Sequence, residues 1–285
     1  MKTGLVIEGG ILRSAFGAGV LKTWLDADVH FDHVVATGAS ALVGAYYHAG
    51  QGEALENMYG AYFDEVGEIS RLFAAIGEDG LDGPTFVRAC LEGYPLDMDA
   101  FCANTRGFAI ATTNAGNGDG VIWPMNRYDK AKTVKMFLDA AVSMPGKNEA
   151  VSLVERSYYS GTISEPLPVH YLMDQGYEKV VVLSTHLKTY ERKRVRLSAL
   201  EALALRPTPL VKTVWQLSHI HEHEERARLL DLERKGRGMM VAPVVESTSY
   251  KRYGISSSAA AEFYSEGLRL GEGYLARVKR FCEEE

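Results

Sequence analysis

Short β-branched runs alternate with amphipathic stretches along this 285-residue chain, and that alternation restricts the fold more than any other feature. Strands separated by helices are the pattern of an α/β protein, because each helix must bury its apolar face against a sheet. Leu5 to Glu8 reads as a first strand, stopped by Gly9-Gly10. Arg13 to Asp26 then reads as a helix, with Phe16, Val20, Leu21, Trp24 and Leu25 on its apolar face. His33 to Thr37 is a second strand, and Gly38 turns the chain into a helix from about Ser40 to Ala49. Phe108 to Thr113 and Lys179 to Ser184 are further strands; the second (KVVVLS) is apolar enough for burial on both faces.

Helices are expected at Lys132 to Val142, Val169 to Asp174, Pro209 to Gly236 and Ala259 to Glu284, with a late strand at Met239 to Val245. Residues from about 52 to 104 read as a mostly helical insertion covering one end of the sheet, punctuated by Asp82-Gly83-Pro84 and Tyr94-Pro95. Asp82, Asp97 and Asp99 read as turn and helix-start residues. A C-terminal helical region runs from about 197 to 285. With no internal repeat and no low-complexity segment, residues 1–285 are expected to form a single domain.

The formal net charge of −6 argues against a nucleic-acid partner, since neutralising phosphates requires a clustered basic surface. The locally basic stretch Lys188 to Arg196 (KTYERKRVR) reads as a solvated connection or as a site for anionic head groups. Cys90, Cys102 and Cys282 lie far apart, and an odd count points to reduced thiols in a cytosolic setting. The N-terminus lacks the apolar stretch of a signal peptide, and no apolar run approaches the roughly 18 residues that span a bilayer. Membrane contact is therefore expected to be peripheral, and the location cytoplasmic.

Two segments carry chemistry. At Leu5 to Leu21 a strand, a glycine pair and a helix follow one another, which lets backbone N–H groups converge beside a positive helix end. Such a loop suits a phosphate or a developing oxyanion, although it also makes a tight connection. It does not fit the G-x-G-x-x-G pattern of dinucleotide sites. At His33 to Gly44 a strand runs through Gly38-Ala39-Ser40-Ala41 into an apolar helix. A serine at this sharp turn presents its hydroxyl at the carboxyl end of the sheet; the plainer alternative is a helix N-cap.

Taken in order, these segments resemble the patatin-like phospholipases. Val6 to Leu21 (VIEGGILRSAFGAGVL) is similar to their glycine-rich oxyanion loop, and Thr37 to Gly44 (TGASALVG) to their nucleophile elbow. Tyr158 to Val169 (YYSGTISEPLPV) is similar to the segment that bears their catalytic aspartate, and Gly176 to Leu183 to the strand after it. The resemblance implies a three-layer α/β/α sandwich with a largely parallel central sheet and a helical insertion. It implies a Ser–Asp dyad in which Ser40 attacks a lipid ester, forms an acyl-enzyme and is served by an aspartate base. Amides near Gly9 and Gly10, with position 11 beside them and Arg13 helping, would hold the oxyanion. No cofactor or metal is implied, and the partner is a lipid or acyl ester.

This chain departs from the family on those positions. Ile11 stands for the third glycine, Ser14 for the glycine after Arg13, Leu42 for the second glycine of the elbow, and Ser160 for the aspartate, with Thr162 two residues on. A hydroxyl is too weak a base to activate Ser40 near neutral pH. The expectation is an impaired lipid acyl hydrolase; the alternatives are a non-catalytic acyl-binding protein of the same fold, and a sequence altered by design or relaxed selection that keeps the architecture while discarding the activity. Glu165, Asp174 and Glu8 are the other carboxylates near these motifs, and His170 and His186 the imidazoles, each with a structural reading beside the catalytic one. His219, His221 and His223 lie in a solvated helix without an HExxH arrangement, and no metal site is expected.

Overall fold

The computed structural model describes residues 1–67, 81–245, 247–253 and 255–283. Strand β1 (Thr3–Ile7) leads into helix α1 (Ser14–Asp26), and β2 (His33–Ala36) into α2 (Ser40–His48). The helical insertion follows as α3 (Gly52–Val66), α4 (Gly83–Gly93) and α5 (Met98–Ala103); its residues 68–80 lie outside the described residues. Asp82 and Asp97 cap α4 and α5 by accepting the amides of Thr85 and Ala100, each over 2.9 Å, which fits their reading as helix-start residues. Next come β3 (Gly107–Asn114), β4 (Gly120–Pro124), α6 (Ala131–Val142), β5 (Val151–Leu153) and β6 (Arg156–Ser160). The chain continues through α7 (Val169–Asp174), β7 (Lys179–Leu183), α8 (Ala199–Ala204), α9 (Pro209–Arg234), β8 (Gly238–Val241), α10 (Thr248–Tyr253) and α11 (Ser257–Glu283).

The strands form one sheet in the order β5-β6-β3-β2-β1-β7-β8, with β4 also on β3. Strands β3, β2, β1, β7 and β8 are parallel, whereas β4, β5 and β6 pair antiparallel. The expectation of a largely parallel sheet is thus corrected to a mixed one. The reason is local: two hairpins graft antiparallel strands onto the β3 side. The turn between β5 and β6 uses positive φ at Val154 (45°) and Glu155 (66°), a conformation that hairpin turns ordinarily assign to Asn or Gly, so its sequence gives no warning.

Side chains alternate across the parallel strands, as the two-residue period requires. Leu5, Ile7, Val34, Ala36, Val181 and Leu183 point into a large core shared with α1, α2, the insertion, α6 and α11. Val6, Val35, Val180 and Val182 point the other way, onto Leu172 of α7 and Leu229 and Leu232 of α9. Three layers result. Helices α1 and α11 meet backbone to backbone at Gly19 and Gly267: a Cβ on Gly19 would lie 2.3 Å from the Tyr264 carbonyl, and one on Gly267 2.2 Å from that of Phe16. Among the described residues no helix is long and apolar enough to cross a membrane.

Candidate active site

Parallel strands β1 and β2 end side by side, so the two turns that follow them are neighbours. Gly10 has φ 140° and Gly38 φ 59°, values that L side chains rarely adopt, which accounts for glycine at both positions. The turns touch: a Cβ on Gly38 would lie 3.2 Å from Gly9 Cα. Ser40 opens α2 and is completely buried, and its hydroxyl donates to the Glu8 carbonyl at 2.6 Å. The glycine pair and the serine that the sequence singles out are therefore joined directly.

Ser160 reaches the same place from the end of β6. Its amide donates to the Ser143 carbonyl at 2.8 Å, and its carbonyl accepts the Thr113 hydroxyl at 2.7 Å. Its own hydroxyl lies 3.0 Å from that of Thr162. The Thr162 methyl is wedged between the loops, 2.7 Å from where a Cβ on Gly9 would be and 2.9 Å from one on Gly38. Thr162 therefore joins three segments. In the sequence Thr162 stands out only as the residue two after Ser160, because a lone threonine past a strand carries no signal.

A cavity of about 130 Å³ opens at this junction, with Gly10, Ile11, Gly38, Ala39, Ser160 and Thr162 on its walls. Leu81, Val142, Met144, Lys147 and Asn148 complete it. Lys147 and Asn148 carry no motif and were not legible beforehand. Ile11 has ordinary backbone, since positive φ at non-glycine residues is confined, among the described residues, to Asp28, Val154 and Glu155. Its carbonyl accepts the Ser14 hydroxyl at 2.8 Å and the Tyr59 hydroxyl at 3.0 Å. The loop has thus wound into a turn that accommodates a side chain at position 11, with Ser14 buried against Tyr59. Arg13 stacks on aromatic rings, 4.8 Å from the centre of Tyr250 and 5.4 Å from Phe263, and does not line the cavity.

The candidate bases stand elsewhere. The Glu8 carboxylate points away from Ser40, accepting the Ser184 hydroxyl, the Thr185 amide at 2.9 Å and, 3.1 Å away, His186 Nδ1. Arg226 adds a contact at 3.4 Å. Burial alone would raise the Glu8 carboxyl, but the charge and hydrogen bond of His186, the charge of Arg226 and the Ser184 hydroxyl hold it well below the usual carboxylate range. Thr185 also donates to the Gly9 carbonyl at 2.8 Å, tying this network to the glycine loop.

Glu165 lines a separate cavity of about 300 Å³ with His170, His221 and Glu225. Burial is the largest influence on Glu165 and raises its carboxyl. His170 is raised by its hydrogen bond to Glu225, whose carboxylate stands 3.3 Å from Nδ1. His219 and His221 sit 3.0 and 3.3 Å from the carbonyls of Gln216 and Ser164. Among the described residues no group of three or more His, Cys, Asp or Glu is placed to hold a metal ion.

The model of the patatin-like phospholipases matches residues 5–173, a stretch that holds both glycine turns, Ser40 and Ser160. The chain belongs to the patatin-like phospholipase family. Helices α8 to α11 lie beyond the matched stretch and extend the family core. Among solved structures, VipD from Legionella pneumophila is similar at 10% identity with a TM-score of 0.43, over 97% of this chain and 66% of that one. The chain thus spans just under two thirds of the VipD structure. No curated protein sequence matches the chain.

Proposed function

We propose that this chain keeps the hydrolase fold of its family with the ester-cleaving step disabled, and that its cavity binds an acyl or ester group without efficient turnover. The observation that supports this reading is the Ser40 hydroxyl given to the Glu8 carbonyl, together with a second hydroxyl, Ser160, where the resemblance puts the family's aspartate. A main-chain carbonyl accepts a hydrogen bond but cannot remove the proton, and a neutral serine is no better. Loss of the base in related nucleophile–base systems lowers turnover by about 10⁴ to 10⁶.

The cavity's volume of about 130 Å³ supports a small occupant. A dry cavity of about 150 Å³ accepts benzene, so this one suits the ester end or a short piece of an acyl chain. All 285 residues act as one unit in this reading, with Gly9, Gly10, Ile11 and Arg13 at or beside the loop that would face a carbonyl oxygen. Three unpaired thiols, Cys90, Cys102 and Cys282, fit a cytoplasmic setting.

The test is a fluorophosphonate probe together with mass spectrometry of gently purified protein. The expected result is labelling no greater than that of Ser40→Ala, with acyl compounds retained equally by both. Stoichiometric labelling of Ser40, with steady ester turnover that Ser40→Ala abolishes, overturns the proposal in favour of an active hydrolase.

A further inference from the structure

We infer that α8 and the basic chain before it form a docking surface for an anionic lipid surface, set beside the cavity lined by Gly10, Gly38 and Ser160. A helix of a globular protein normally buries one stripe, yet α8 has no buried residue. Leu200 and Leu203, spaced to share a face, are 70% and 53% exposed, and Leu210, just past the next turn, is 56% exposed. Scattered exposed leucines need no explanation; two on one face of a helix that buries nothing do.

Charge selects the occupant. Residues 188–212 carry seven basic and two acidic side chains in a chain whose net charge is −6. One of the seven cations, Arg192, is engaged in an ion pair with Glu222, which leaves six beside Glu191 and Glu201. Lys193, Arg194 and Arg196 are exposed and line a concavity of about 990 Å³ together with Leu197 and Gln216. Exposed leucines beside clustered cations match a membrane whose head groups are negative and whose acyl boundary is apolar.

The position is informative as well. The α8 backbone sits against the turn that carries Lys147: a Cβ on Gly146 would lie 3.0 Å from Glu201 Cα. Met144, which lines the cavity at Ser160, also packs in the small apolar cluster with Val195 and Leu197 beneath the basic stretch. A bilayer held by α8 would therefore lie next to the cavity. The inference does not depend on whether Ser40 turns over, because binding is read without catalysis.

The test is co-sedimentation of the full chain with vesicles of phosphatidylcholine alone or containing 30% phosphatidylserine, about a third of the lipid being anionic as suits a polybasic site. Binding is expected only to the anionic vesicles and should weaken with salt. Each cation near such a surface contributes about fivefold, so K193Q/R194Q/R196Q should lower partitioning about a hundredfold. L200S/L203S should abolish it while leaving the thermal midpoint unchanged, since neither side chain is buried. Equal binding to neutral vesicles, no binding to either, or wild-type binding by both variants overturns the inference. So does concentration-dependent self-association that L200S/L203S removes, which would identify a second copy as the occupant.

Discussion

The Ser40 hydroxyl and the Glu8 carbonyl are joined by a 2.6 Å hydrogen bond, while the Glu8 carboxylate faces Ser184, Thr185 and His186 instead. One residue thus holds the would-be nucleophile by its main chain and anchors a buried ionic cluster by its side chain.

On the proposed reading, installing an aspartate at position 160 should not suffice. Ser160→Asp places a carboxylate beside Thr162, but Ser40 must still leave Glu8 and the loop still carries Ile11. Ester turnover is expected to rise less than about tenfold in Ser160→Asp, and by about 10² further when Ile11→Gly is added, the size of one oxyanion donor. A short-chain nitrophenyl ester assay checks this, with Ser40→Ala in each background as the blank. A full gain from Ser160→Asp alone would show that the loop is competent as it stands.

Glu8→Gln should destabilise the fold by about 3 kcal/mol, because it removes the buried charge around which Ser184, the Thr185 amide, His186 and Arg226 are arranged. The carboxyl is held below its ordinary value of 4.5 in the folded chain, burial being outweighed by His186, Arg226 and Ser184. Its contribution is therefore present above that value and lost as the pH falls below it. Urea unfolding at pH 7 measures the loss, and the wild-type–variant gap should narrow on acidification.

His33 and His48 make stability fall earlier, on the way down to that range. Burial pushes both imidazoles from 6.5 to about 4. Between those values the unfolded chain binds protons that the folded chain refuses, so stability should decline as the pH drops from 6.5 toward 4. Nε2 of His33 has no hydrogen-bond partner among the described residues, so charging it would leave a buried cation unsupported. His33→Phe with His48→Phe should flatten unfolding midpoints measured between pH 7 and 4.5; unchanged curvature would exclude these two groups as its source.

Gly19→Ala should cost about 2 kcal/mol through overpacking of α1 against α11, although alanine favours helix. Gly60→Ala is the matched control, a helical glycine with nothing within 4 Å of its added Cβ, and should gain up to about 1 kcal/mol. Thermal unfolding of both variants separates close packing from intrinsic helix preference.

The parallel part of the sheet and its helices were legible because their apolar periods are long and their ends carry glycine. His33–Ala36, Lys179–Leu183 and Val169–Asp174 fall where the pattern puts them, within a residue. Strands β4 to β6 were not legible. Only three to five residues long, they turn partly exposed side chains outward, and Val154-Glu155 replaces the usual turn residues. Met239 to Val245 was read too long: the strand ends at Val241, before Pro243. At the site, the proximity of Gly9, Gly10 and Ser40 followed from two adjacent strand ends. The roles of Thr162, Thr185 and Lys147 did not, since they arise from contacts between segments distant in sequence.

Position 160 has a main chain fixed at both poles, by Ser143 on the amide and Thr113 on the carbonyl. Whatever side chain is installed there will leave the backbone along one set direction into the cavity. The protein therefore offers a rigid mounting point on the wall of the cavity that Gly38 and Ala39 also line, suited to grafting a base, a thiol or a reporter group without rebuilding the sheet that carries it.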